Sequence, residues 1–162
     1  MLLTVSLSAA LPLSAASHVD VVKMRTENQV NPLGIGTSTP RFSWQITSDR
    51  KGVVQTSYQI LVASSRAKLD SNEADLWDSG ERNSDEQLWI PYQGKALLSG
   101  AQAYWKVRIT TNRGKSEWTE PQLFTIGLPG ETKWSGTWIG LEDLQPGEQK
   151  GMHTRLAARY IR

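Results

Sequence analysis

Cysteine is absent from all 162 residues. That excludes disulfides, thiolate catalysis, Cys-ligated zinc and a lipidated N-terminal Cys. Histidine is nearly absent: only His18 and His153 occur, far apart in the sequence. A histidine-based metal centre or a Ser-His-Asp triad therefore lacks its material, and no metal ligand is nominated. Basic runs are missing too. Lys and Arg are scattered, and the net charge is only +2. A solvated mixed surface accounts for that pattern better than a nucleic-acid footprint. There is no G-x-S-x-G elbow and no phosphate-cradling glycine loop opening a helix, so no cofactor is expected. Convincing amphipathic helices are also lacking.

Charge is absent from one whole segment. Residues 1–17, MLLTVSLSAALPLSAAS, are apolar or small throughout. The run is too short to span a bilayer comfortably. Ser14-Ala15-Ala16 fits a small-x-small cleavage site, which predicts a signal peptide over 1–16 and a periplasmic or secreted bacterial product. The usual positive n-region is missing. Once the leader is cleaved, no membrane association is expected.

What is present is alternation. Ala103, Trp105, Val107 and Ile109 alternate with Tyr104, Lys106, Arg108 and Thr110. A period of two marks a strand with one face in a core and the other in water. Asn112-Arg113-Gly114 then supplies a turn. The same reasoning predicts strands over 21–26, 41–47, 55–64, 75–80, 87–92 and 122–127. In the 87–92 strand, Leu88, Ile90 and Tyr92 are placed on one face and Trp89 on the other. Residues 65–74 are polar with room for a helical turn, and NPLGIG at 31–36 reads as a turn. Seven short strands with turn signals between them predict an all-β antiparallel sandwich, fibronectin type III-like or immunoglobulin-like, over 19–128. A linker at 129–153 carries the aromatic segment WSGTWIGL. Residues 154–162, TRLAARYIR, read as the first strand of a second β domain.

Five blocks then fit together: 27–46 (ENQVNPLGIGTSTPRFSWQI), 51–65 (KGVVQTSYQILVASS), 75–80 (DLWDSG), 97–121 (LLSGAQAYWKVRITTNRGKSEWTEP) and 138–141 (WIGL). In this order they resemble the N-terminal region of bacterial α-L-rhamnosidases of glycoside hydrolase family 78. The resemblance implies a secreted, multidomain, inverting glycosidase that opens with a fibronectin type III-like sandwich. It implies that the catalytic barrel lies far downstream, so that this chain is a truncated N-terminal piece, itself inactive. Its implied partners are the later domains of the same enzyme and, secondarily, rhamnose-containing polysaccharide. One residue departs from the pattern. Ala103 stands where the family carries a tyrosine-corner Tyr, and the sequence thereby loses a core-closing phenol.

Inverting glycoside hydrolysis needs two carboxyl groups about 6.5–9.5 Å apart. Acidic neighbours occur at Glu73, Asp75 and Asp78, at Asp85 and Glu86, at Glu117 and Glu120, and at Glu142 and Asp143. All fall in polar loops or at strand edges, and no catalytic residue is nominated. The seven Trp are the serious binding candidates, because sugar rings stack their C–H faces on aromatics. Trp44 and Trp105 are assigned to the core, Trp118 to the end of the sandwich, and Trp134 and Trp138 to the interdomain junction. Trp89 and Tyr104, placed on outer faces, are the two carbohydrate-binding candidates. The competing reading is a stand-alone secreted carbohydrate-binding or adhesion module.

Overall fold

The computed structural model of the chain describes residues 19–128. The leader at 1–16, His18, the linker at 129–153 with Trp134, Trp138, Glu142, Asp143 and His153, and the strand expected at 154–162 lie outside the described residues. Among those described, nine strands and one short helix occur: β1 (Val19–Thr26), β2 (Arg41–Ser48), β3 (Gln55–Ala63), α1 (Arg66–Asp70), β4 (Trp77–Asp78), β5 (Arg82–Asn83), β6 (Ile90–Pro91), β7 (Gln102–Thr111), β8 (Gly114–Lys115) and β9 (Gln122–Thr125). They form two antiparallel sheets. One runs β1-β2-β6. The other is centred on β3-β7, with β4 and β5 on the free edge of β3 and β8 and β9 on the free edge of β7. This is the all-β, immunoglobulin-like architecture that the alternation predicts. The extra strands are two-residue pieces that divide single edge strands.

The core lies between the sheets. Phe42 and Trp44 enter from β2. Tyr58, Ile60 and Val62 enter from β3, and Ala103, Trp105, Val107 and Ile109 from β7; all are buried. The register sets Ile60 beside Val107 and Val62 beside Trp105, so each inward pair meets the opposite sheet. The Phe42 and Trp105 rings are 4.4 Å apart across the gap. Burying a side chain such as Phe42 contributes about 1.5–3 kcal/mol. A few polar side chains are buried with these apolar ones, Gln55 among them. Gln55 accepts a hydrogen bond from the Trp44 indole at 3.0 Å. Its amide donates to the carbonyls of Ser84 and Glu86 at 3.0 and 2.9 Å. A buried amide so satisfied ties the 84–89 loop to the core.

Three expectations are corrected. The first concerns 31–36, which is more than a turn. Ile35 forms a parallel bridge to Ile126, with Ile35 N donating to Thr125 O and Gly127 N donating to Ile35 O, both at 2.8 Å. The Asn31 side chain accepts from Leu123 N at 2.9 Å. The NPLGI run thus covers the free edge of β9, a site that would otherwise offer unpaired backbone groups. Gly127 is required there, because a Cβ would come within 2.8 Å of the Gly34 carbonyl oxygen.

The second correction concerns 87–92, where only Ile90–Pro91 pairs as a strand. Trp89 adopts a left-handed backbone, φ +60°, which breaks the two-residue period. Ile90 and Tyr92 are buried as expected, but Leu88 is 63% exposed. Alternation assumes extended φ at every step, and one left-handed residue cancels it.

The third correction concerns Trp118, which lies on the outer face of the β3-β7 sheet and not at the end of the sandwich. Leu61, Ala63 and Leu69 form a second buried cluster there, with Ala74, Tyr104 and Trp118 packed on it. Helix α1, capped by the Ser65 side chain, covers that face. Lys106 is buried beneath it, donating to the Leu69 carbonyl and to Asn72 Oδ1. The Lys106 ammonium and the Arg108 guanidinium lie 5.1 and 4.4 Å from the Trp118 ring. Burial lowers the Lys106 pKa from its ordinary value.

Ala103 is fully buried, and the phenol missing from its position has a counterpart elsewhere. Tyr92 sits in the core and donates to the Lys95 carbonyl at 2.7 Å, with the Leu76 carbonyl 3.3 Å away. Burial, reinforced by the charge of Asp75, pushes its pKa up to about 12. Trp77, which the sequence alone leaves unassigned, packs edge-on to Tyr92 at 5.4 Å.

Candidate functional site

Among the described residues, the most exposed aromatic ring is that of Trp89. Arg41 and Ser43 alternate with the inward Phe42 and Trp44, so both face outward from β2. The Trp89 backbone N–H donates to Ser43 Oγ at 3.0 Å. The Arg41 guanidinium carbon lies 4.2 Å from the Trp89 ring centroid, cation–π contact distance. Arg41 is itself clamped. Its Nε donates to Glu27 Oε1 at 3.0 Å and its Nη2 to Glu27 Oε2 at 2.7 Å. Glu27 Oε1 also accepts the Arg41 backbone N–H at 2.8 Å. These bonds hold the Glu27 carboxyl below its usual pKa. The result is a stack of carboxylate, guanidinium and indole, with Trp89 43% exposed.

Tyr104, the other sequence candidate, belongs to a different surface. It lies on the outer face of β7 against the Leu61–Leu69 cluster, and its hydroxyl accepts from Gln102 Nε2 at 2.6 Å. Trp89 stands outside the β1-β2-β6 sheet and Tyr104 outside the opposite one, so the fold does not join them into one site. Sequence reasoning missed Arg41 and Glu27. The outward position of Arg41 in PRFSW was visible. Its meeting with Glu27 across the 28–40 loop was not, because it depends on the β1-β2 register.

Neither candidate lines either of two shallow depressions formed by the described residues. A shallow depression of about 540 Å³ is lined by Gln45, Ser48, Arg50, Val54, Asp85 and Gln87, among others. Another of about 350 Å³ lies between Val19–Val21 and Arg113–Thr119. Trp89 lines neither of them, and its exposed ring offers a surface outside both.

Three of the acidic groups, Asp75, Asp78 and Glu120, have side-chain partners in the fold. Burial pushes the Asp75 carboxyl upward, but hydrogen bonds from Lys68 and Ser64 outweigh this and hold it at about 2. Asp78 accepts from Gln59 at 2.9 Å and from Gly80 N at 2.8 Å. Glu120 pairs with Arg66 at 2.6 Å. Among the described residues, no group of three or more His, Cys, Asp or Glu could hold a metal, and no helix is long and apolar enough to cross a membrane.

Residues 21–130 match the family described as Rha78A-like, N-terminal immunoglobulin domain. An α-L-rhamnosidase of Formosa agariphila is 38% identical over 127 residues, which are 77% of this chain and 13% of that protein. Among solved structures, Streptomyces avermitilis α-L-rhamnosidase complexed with L-rhamnose aligns with TM-score 0.70 and 37% identity, over 76% of this chain and 12% of that one. The α-L-rhamnosidase of Dictyoglumus thermophilum aligns with TM-score 0.69 and 34% identity, over 76% and 14%. The chain thus spans roughly an eighth to a seventh of the length of these relatives. The matched range and the identity to these relatives agree: the chain belongs to the family of N-terminal immunoglobulin-like domains of Rha78A-like α-L-rhamnosidases.

Proposed function

We propose that this sandwich serves as the non-catalytic accessory domain of an exported α-L-rhamnosidase, and that the longer protein hydrolyses terminal α-L-rhamnosyl linkages with inversion. The observation that carries this reading is the match over 21–130 to the N-terminal part of much longer rhamnosidases. The engagement of Asp75, Asp78 and Glu120 in ion pairs and backbone bonds supports it, since such carboxylates are not free to act as acid and base. The domain's work is to pack against the later domains of the same enzyme. Exposed Leu33, Leu98 and Leu128 support that role. All three adjoin the 125–127 segment, where Ser99 Oγ donates to Gly127 O and Gly34 N to Thr125 Oγ1. Exposed apolar groups gathered at one end suit a domain contact.

Reading the coding DNA beyond the Arg162 codon tests the proposal. It is expected to continue into a glycosidase domain. A stop there, in a gene whose product is exported and binds glycans alone, would favour the stand-alone module, which the exposure of Trp89 also suits.

A further inference from the structure

We propose that the free face of Trp89, with the adjoining Nη1 of Arg41, is a binding platform for a neutral pyranose of a rhamnose-containing glycan. The glycan class rests on the rhamnosidase reading above; the platform itself rests on geometry. A bulky aromatic residue at φ +60° is strained by about 1–2 kcal/mol. Here the strain keeps the indole on the surface, where it is held from two sides. Its backbone N–H is tied to Ser43 Oγ, and the Arg41 guanidinium supports one ring face. The support is rigid because Glu27 holds Nε and Nη2. Arg41 Nη1 has no hydrogen-bond partner among the described residues and remains a donor beside the ring. Leu88, the residue before it, is exposed as well.

The chemistry selects the ligand. Glu27 neutralises Arg41, so the guanidinium against the ring does not by itself attract an anion. The guanidinium already occupies one ring face, which leaves a single flat surface and no cage for a cation. A ligand with an apolar C–H face and hydroxyl acceptors at its rim fits both groups, as a pyranose does. The 6-methyl group of a rhamnosyl unit suits Leu88. Because the ring is fixed before binding, little ordering is required. One stacked ring without a pocket corresponds to a Kd on the order of millimolar.

The test is an NMR titration of the purified chain with methyl α-L-rhamnopyranoside, following backbone amides and the indole N–H signals. Sorbitol, with hydroxyls but no ring face, is the control. Saturable shifts at Trp89, Arg41 and Leu88 are expected with the glycoside and not with sorbitol. Trp89→Gly suits the left-handed backbone, keeps the Ser43 bond and removes only the ring; it should lose binding or weaken it at least about tenfold. Trp89→Phe keeps a ring face and should weaken it only a few-fold. Absence of shifts in the folded chain, equal shifts with sorbitol, or unchanged binding by Trp89→Gly would overturn the platform. Any of these would leave the accessory-domain reading standing, since that depends on the coding sequence and on activity.

Discussion

The Trp44 indole N–H donates to the Gln55 side-chain oxygen at 3.0 Å inside the core, and this one bond connects sheet packing to loop placement. Gln55→Leu keeps apolar volume but orphans the indole and two loop carbonyls. Each buried unsatisfied group costs about 1–3 kcal/mol, so a loss of at least about 3 kcal/mol is expected in urea unfolding. The loop carrying Trp89 should also loosen, seen as faster amide exchange over 84–89.

Among the described residues, Gly94 is the glycine with the least room. A Cβ there would lie 2.4 Å from Trp77 Cβ, 2.5 Å from Leu76 O and 2.6 Å from the Tyr92 hydroxyl. Backbone cannot yield as a side-chain tip can, so Gly94→Ala should cost about 2–3 kcal/mol. Gly36 meets nothing within 4 Å, and Gly36→Ala should stay within about 0.5 kcal/mol. Paired thermal melts check both.

Asp75 gives the acid limb its slope. Its carboxyl has a model-peptide value of 3.8 and stands at about 2 in the fold. The unfolded chain therefore binds the proton first as pH falls. The stability contributed by Asp75 is fully present above about pH 4 and is lost progressively toward pH 2. Asp75→Asn should lower the urea midpoint at pH 7, and the gap to the unaltered chain should narrow between pH 4 and pH 2.

Asn31 holds the edge cover in place through its bond to Leu123 N. It sits at φ +46°, a conformation that Asn tolerates better than most residues. Asn31→Ala should destabilise by about 1–2 kcal/mol. It should also raise the tendency to self-associate through the uncovered β9 edge, which light scattering at increasing concentration measures.

The strands with unbroken alternation were legible in the sequence. β2, β3 and β7 fall within a residue or two of their expected ends, because one apolar face fixes a strand's register and limits. Elements whose shape depends on distant partners were not. NPLGIG shows only glycine and proline locally; its pairing with Ile126 needs the other end of the domain. Leu61 and Ala63 occupy the formally outward positions of β3, and nothing within that strand announces that Leu69 will cover them. Trp89 was legible as an outward aromatic, although its left-handed backbone was not. Tyr104 was also placed on the correct face, but on the sheet opposite Trp89.

Assay of the purified chain on an aryl α-L-rhamnoside tests the central claim most directly. No release of the aryl alcohol above the buffer blank is expected, at any protein concentration. Release that scales with protein and co-purifies with this chain would contradict it.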